Sequence, residues 1–217
     1  MKTVYVIGDS HNRMVSSEIY RNDIHPVLPH GQVVYKVLLG DSWTAYSLPS
    51  REQEVREALS KSELGAVVLS LYGEIDCRFY IFNRHIWNGS SLDAEIDQVV
   101  NNYIPLMRTL RFEGHNMVVV SVVPPQRIVG QAMDPAGQPG GGGLNEDRRY
   151  ITEVLNSKLK YACHEQGVPF LDLYHLQVDT TDGYNRPELL WPRPEETMHY
   201  RYMGKEVEEI LLQRGFV

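Results

Sequence analysis

Thr3-Val4-Tyr5-Val6-Ile7-Gly8-Asp9-Ser10-His11 begins with an unbroken apolar run and stops on a glycine followed by small polar residues. A short run of this kind, bounded by turn formers, predicts a strand buried on both faces. Four further runs are similar: Val33–Leu39, Ala66–Leu71, Met117–Val123 and Val168–Leu171. Stretches of helical period separate them. Ser50 with Gln53 three residues later forms a capping-box pattern before Val55, Ala58 and Leu59. Leu92–Leu110 keeps a helical spacing, with Pro105 predicting a kink or break. Asn145 is placed to cap a helix over Asp147–Gln166 that stops at Gly167, and a last helix is expected over Arg201–Arg214, ending at Gly215.

Strands alternating with helices predict a parallel sheet covered on both faces, a three-layer α/β/α domain. Right-handed crossovers leave few topologies, and the expectation is a flavodoxin-like order of five parallel strands. Residues 1–217 read as one domain, with no internal repeat and no linker. Sheets of this kind bind ligands beyond the carboxyl ends of their strands. That rule singles out the loops after Ile7, Leu39, Leu71 and Val123. Two long irregular stretches remain, Pro124–Leu144 with its glycine run and Leu173–Glu195 with a turn at Asp182-Gly183. Loops this long in a compact domain are usually functional or disordered.

Composition narrows the function classes. The chain has 217 residues, 42% hydrophobic and 23% charged, so it can bury a core without staples. Its 21 basic and 28 acidic side chains give a formal charge of -7. That balance lacks the basic footprint of a nucleic-acid binder or of a protein seeking an anionic membrane. No apolar run approaches the roughly 20 residues needed to span a bilayer, and the N-terminal residues read as a strand rather than a cleaved leader. Cys77 and Cys163 are the two cysteines. They are expected as free thiols, which suits a cytoplasmic location.

Two places carry residues suited to nucleophilic catalysis. Ser10 follows the first strand at the start of a helical segment, where free backbone N–H groups and partial positive charge favour an oxyanion. The plainer reading has Asp9 or Ser10 merely capping that segment. Near the other end, Glu196 lies three residues before His199. A carboxylate so placed can hold an imidazole in one tautomer, and a neutral imidazole can take the proton from a serine hydroxyl. An exposed glutamate and an ordinary histidine account for that spacing equally simply.

Taken in order, these blocks resemble the SGNH (GDSL-type) hydrolase family. Gly8-Asp9-Ser10 follows the first strand, Gly40 the second, Gly73-Glu74-Ile75-Asp76 the third, and Glu196 to His199 lies near the end. Ser121-Val122-Val123-Pro124-Pro125 is similar to the family's exit from its fourth strand. The resemblance spans nearly the whole chain. It implies a serine esterase with Ser10 as nucleophile, His199 as base and Glu196 where the family usually has aspartate. It also implies an oxyanion hole that includes the backbone N–H groups of Ser10 and Gly40, with Asp9 at the substrate-binding edge. No metal or organic cofactor is implied. The expected partner is a small-molecule or carbohydrate acyl ester, with Trp43, Tyr46, Tyr72, Phe79 and Trp87 as candidates either for stacking on a sugar or for the core.

One departure stands out. The family's third block carries an asparagine whose side chain completes the oxyanion hole. In strict register Ile75 stands there, and isoleucine has no donor. Arg78 or Asn83 could supply the missing donor, while an ion pair with Glu74 or Asp76 is the alternative use of Arg78. Two other function classes stay open. An acyltransferase or a non-catalytic binding domain would use the same fold. Asp9-Ser10-His11 with Asp41 also resembles the opening of a two-metal phosphoesterase, although that family's Gly-Asn-His and Gly-His-x-His motifs are missing.

Overall fold

A computed structural model describes residues 2–15, 33–40, 43–127, 143–189 and 203–217. The apolar runs form five parallel strands: β1 (Lys2–Gly8), β2 (Val33–Gly40), β3 (Val67–Leu71), β4 (Asn116–Val120) and β5 (Phe170–Leu171). Their order is β2-β1-β3-β4-β5, the flavodoxin-like order expected from the alternation of elements. Every strand pair is parallel. β3 is central with β1 beside it, and both are buried along nearly their whole length.

Among the described residues, six α-helices flank the strands: α1 (Glu52–Leu59), α2 (Ile81–Asn88), α3 (Leu92–Phe112), α4 (Asn145–Gln166), the short α5 (Tyr174–Gln177) and α6 (Gly204–Gln213). The sheet divides the core in two. One side gathers Ile7, Leu69's neighbour Val68, Tyr103, Met107 and Leu155 beneath α1, α3 and α4. The other gathers Val4, Val6, Leu69, Val207 and Leu211 beneath α6. Burial of such side chains contributes roughly 1.5–3 kcal/mol each. Cys77 and Cys163 are both buried free thiols. Among the described residues, no helix is long and apolar enough to cross a membrane.

Several local expectations are corrected. Ser50 does not cap α1: a 3-10 turn over Ala45–Arg51 precedes it, and Thr44 caps that turn in a reciprocal box with Ser47. Pro105 does not break α3, which runs from Leu92 to Phe112. Pro105 is exposed, so the carbonyl its missing N–H leaves unbonded can meet water. α4 starts at Asn145, inside the residue expected to cap it, and Asp147 closes its first turn by accepting from Leu144 N at 2.8 Å. β4 ends at Val120, short of Val123: Ser121 N still donates to Leu171 O at 2.9 Å, and both backbone groups of Val122 turn to Asn156. The turn at Asp182-Gly183 is present, with Tyr184 N donating to Asp182 Oδ1 at 3.0 Å.

Candidate active site

Three strand ends finish level. Gly8 stands opposite Gly40 on one side and Leu71 on the other. The first three sequence blocks therefore meet at one edge of the sheet. The backbone of Ser10 opens a 3-10 turn, Ser10–Met14, at the carboxyl end of β1. Asp9 is the N-cap of that turn and is 1% exposed. Its Oδ1 accepts from His11 N at 2.9 Å, and its Oδ2 accepts from Glu74 N at 3.3 Å. Asp9 thus caps the turn that Ser10 opens and ties it to the third block.

Gly40 ends β2, and a side chain there would collide with the Asn12 carboxamide. Asn12 is fully buried, and its Nδ2 donates to Leu39 O at 3.5 Å. The first and second blocks are joined through this residue, which the sequence reading did not single out. Gly73 has φ +117, a conformation that favours glycine, and a Cβ there would lie 2.8 Å from Val122 Cγ2. The turn after β3 is therefore pressed against the exit of β4.

The third block continues into a π-helical turn over Asp76–Tyr80. Such one-turn insertions re-aim side chains and are common at functional sites. Here they place Glu74 and Arg78 beside the first block. Arg78 Nε lies 2.8 Å from Glu74 Oε1 as an ion pair rather than an aligned hydrogen bond. His11 Nδ1 is 3.3 Å from both Glu74 Oε2 and Asp9 Oδ1. Burial works to lower the His11 pKa, but Glu74 and Asp9 outweigh it and hold the pKa above its ordinary value. A line of alternating charge, Asp9–His11–Glu74–Arg78, thus runs beside the Ser10 backbone. The guanidinium of Arg78 also lies 4.5 Å from the centre of the Phe79 ring.

Asp76 joins the third block to the second. It is fully buried, accepts from Ala45 N at 2.6 Å and from Tyr46 N at 3.3 Å, and has Arg84 at 3.7 Å. Burial raises its pKa to about 7 against the opposing pull of Arg84 and the two N–H groups. Arg84 in turn donates to Glu95 Oε2 at 3.1 Å and covers the Tyr46 ring. Cys77 is next in sequence, but burial pushes its thiol well above the usual range, so it is a poor nucleophile.

The β4 exit is held from both sides. Ser121 Oγ accepts from Leu173 N and Tyr174 N at 2.8 and 2.9 Å. Asn156 bonds both backbone groups of Val122, at 2.7 and 2.8 Å. Of the expected site residues, Asp9, Gly40 and Arg78 gather with the Ser10 backbone at this edge. Asn83 lies further on, in the first turn of α2. Ile75 is buried. His199, Glu196 and Asp41 lie outside the described residues. Of the aromatic candidates, Tyr72 belongs to the core, Tyr46 is 37% exposed and Trp87 is 71% exposed on α2.

This topology defines a doubly wound α/β fold, whose candidate site loops follow β1, β2 and β3. More particularly, the chain has the SGNH, or GDSL-like, hydrolase fold. A GDSL-like lipase from Bacteroides thetaiotaomicron VPI-5482 superposes with a TM-score of 0.60 at 15% identity, covering 99% of this chain and 87% of that one. A lipase/acylhydrolase from Enterococcus faecalis superposes with a TM-score of 0.53 at 14% identity, covering 99% and 95%. No protein-family profile matches the chain, and no curated protein matches it in sequence.

Proposed function

We propose that this chain is a serine-dependent acyl-ester hydrolase. The observation that carries the reading is the placement of Gly8-Asp9-Ser10: a buried aspartate caps a turn whose first residue is a serine, at the carboxyl end of a central strand. The neighbours in fold support it, since one is described as a GDSL-like lipase and another as a lipase/acylhydrolase. In this mechanism Ser10 attacks the ester carbonyl while His199, oriented by Glu196, takes its proton. The proton then passes to the leaving alcohol, and water releases the acyl group from Ser10 by the same route reversed. The N–H groups of Ser10 and Gly40 stabilise the oxyanion, and removing one such donor typically costs about 10²–10³ in rate.

Arg78 or Asn83 supplies the donor that Ile75 lacks. Glu74 already engages Arg78, so an oxyanion role for this arginine means sharing its guanidinium between the carboxylate and the reacting oxygen. A small acyl ester, on a carbohydrate or a simple alcohol, is the proposed substrate. The experiment is a panel of acyl esters assayed on the wild type and on Ser10→Ala. Turnover by the wild type and its loss in a folded Ser10→Ala protein is the expected result. Equal turnover by both would overturn the serine mechanism.

A further inference from the structure

α4 turns a stripe of residues toward the sheet. Ile151, Leu155, Leu159 and Cys163 are its apolar members, and Arg148, Thr152 and Asn156 are polar residues at intervals of four on the same face. Two of these three have a visible task. Asn156 holds Val122 at the exit of β4. Thr152 donates to Arg148 O at 2.8 Å.

Arg148 stands one turn nearer the start of α4, toward the carboxyl ends of the strands. It is 3% exposed. Its Nη2 meets Asn145 Oδ1, but Nε and Nη1 are buried with no hydrogen-bond partner among the described residues. α4 packs against the turn over Asp76–Tyr80, and Asn156 on the same face bonds Val122 at the β4 exit, so this face of α4 borders the candidate site. Glu74 is already shared between Arg78 and His11, so it does not neutralise a third cation. Burying a guanidinium with idle donors destabilises a fold. Local rules of this kind are broken chiefly at functional or strained sites. A chain of net charge -7 repels anions at long range, so an anion must be drawn by a locally built positive group.

We propose that Arg148 recognises an anionic group on the substrate, so that the preferred ester carries a carboxylate or similar acid on its alcohol portion. This rests on the ester-hydrolase reading above. The negative group seats against Nε and Nη1 of Arg148 while the acyl carbon faces Ser10. Thr152 and Asn156 keep the helix face in place beneath it.

The test compares 4-acetoxybenzoate with its uncharged analogue 4-acetoxybenzamide on the full chain. The wild type is expected to favour the charged ester in kcat/KM by about tenfold or more, the scale of a hydrogen bond to a charged group. Arg148→Met should abolish that preference. Arg148→Gln, which keeps an amide for Asn145, should abolish it too and serves if the methionine variant does not fold. Equal handling of both esters by the wild type, or a preference retained in the folded variants, would overturn the proposal. If neither ester is turned over, the hydrolase reading has failed separately. Calorimetric titration with 4-hydroxybenzoate and 4-hydroxybenzamide then decides the role of Arg148. Tighter binding of the anion that is lost in the variants supports it, and absence of discrimination refutes it.

Discussion

Replacing Glu74 by glutamine keeps the length of the side chain and removes the charge that Arg78 and His11 share. Two effects follow, and pH separates them. The Arg78–Glu74 pair loses its attraction at every pH where both are charged. The two side chains are 16% and 17% exposed, so water screens the pair only in part. Breaking a fully buried pair costs about 3–5 kcal/mol and an exposed one about 0–1, which puts this contact near 2 kcal/mol. The second effect acts through His11. Its raised pKa means the folded chain holds a proton more tightly than the unfolded chain. That stabilisation is complete below the unfolded pKa of about 6.5 and is lost as pH rises through the folded value. Glu74→Gln removes the strongest force raising that pKa. Each tenfold loss of proton affinity at His11 adds about 1.4 kcal/mol to the destabilisation at acid pH. Urea unfolding of both proteins at about pH 5.5 and about pH 8.5, beside NMR titration of the His11 ring, measures both effects. The variant should be more destabilised at the acid end, and its His11 pKa should fall. An equal loss at both pH values with an unmoved His11 titration would refute the reasoning.

Asp76, with its pKa raised to about 7 by burial, predicts the same direction by another route. The folded chain keeps a proton that the unfolded chain gives up, so stability should fall between about pH 4 and 7, by at most ~1.4 kcal/mol per pH unit. Asp76→Asn should flatten that slope in urea melts, and an unchanged slope would count against it. For the oxyanion hole, Arg78→Ala or Asn83→Ala should lower kcat about tenfold or more with little change in KM, depending on which supplies the third donor. Near-normal kcat in both would leave the backbone donors alone in that role. Treatment with EDTA should leave ester hydrolysis unchanged, whereas loss on chelation with recovery on manganese would favour the two-metal reading.

The sheet was legible because its strands are short apolar runs whose burial on both faces shows directly in composition. Gly8, Asp9 and Ser10 were legible for the same reason, since they interrupt the first of those runs. Other features depend on partners far away in sequence. Asp76 looks like an ordinary helix-start acid until its bond to Ala45, 31 residues earlier, is seen. The π-helical turn over Asp76–Tyr80 has no signature in residue type, because its wide winding depends on what packs around it. The helix continues through Pro105 because proline sits on its exposed face, which the sequence rule for a break does not consider. Arg148 did leave a signal, a fourfold spacing with Thr152 and Asn156, but its meaning appears only once α4 is seen to turn that face inward. The ion pair of Arg78 with Glu74 matches the alternative that the sequence had left open beside an oxyanion role.

Peptide mapping after reaction with a fluorophosphonate tests whether Ser10 is the nucleophile. Such reagents capture a serine that is activated for attack on a carbonyl-like centre. The predicted result is a single adduct on the peptide that contains Ser10, formed in the folded chain and absent after heat denaturation. An adduct confined to another serine, or none at all from a chain that hydrolyses esters, would contradict the account.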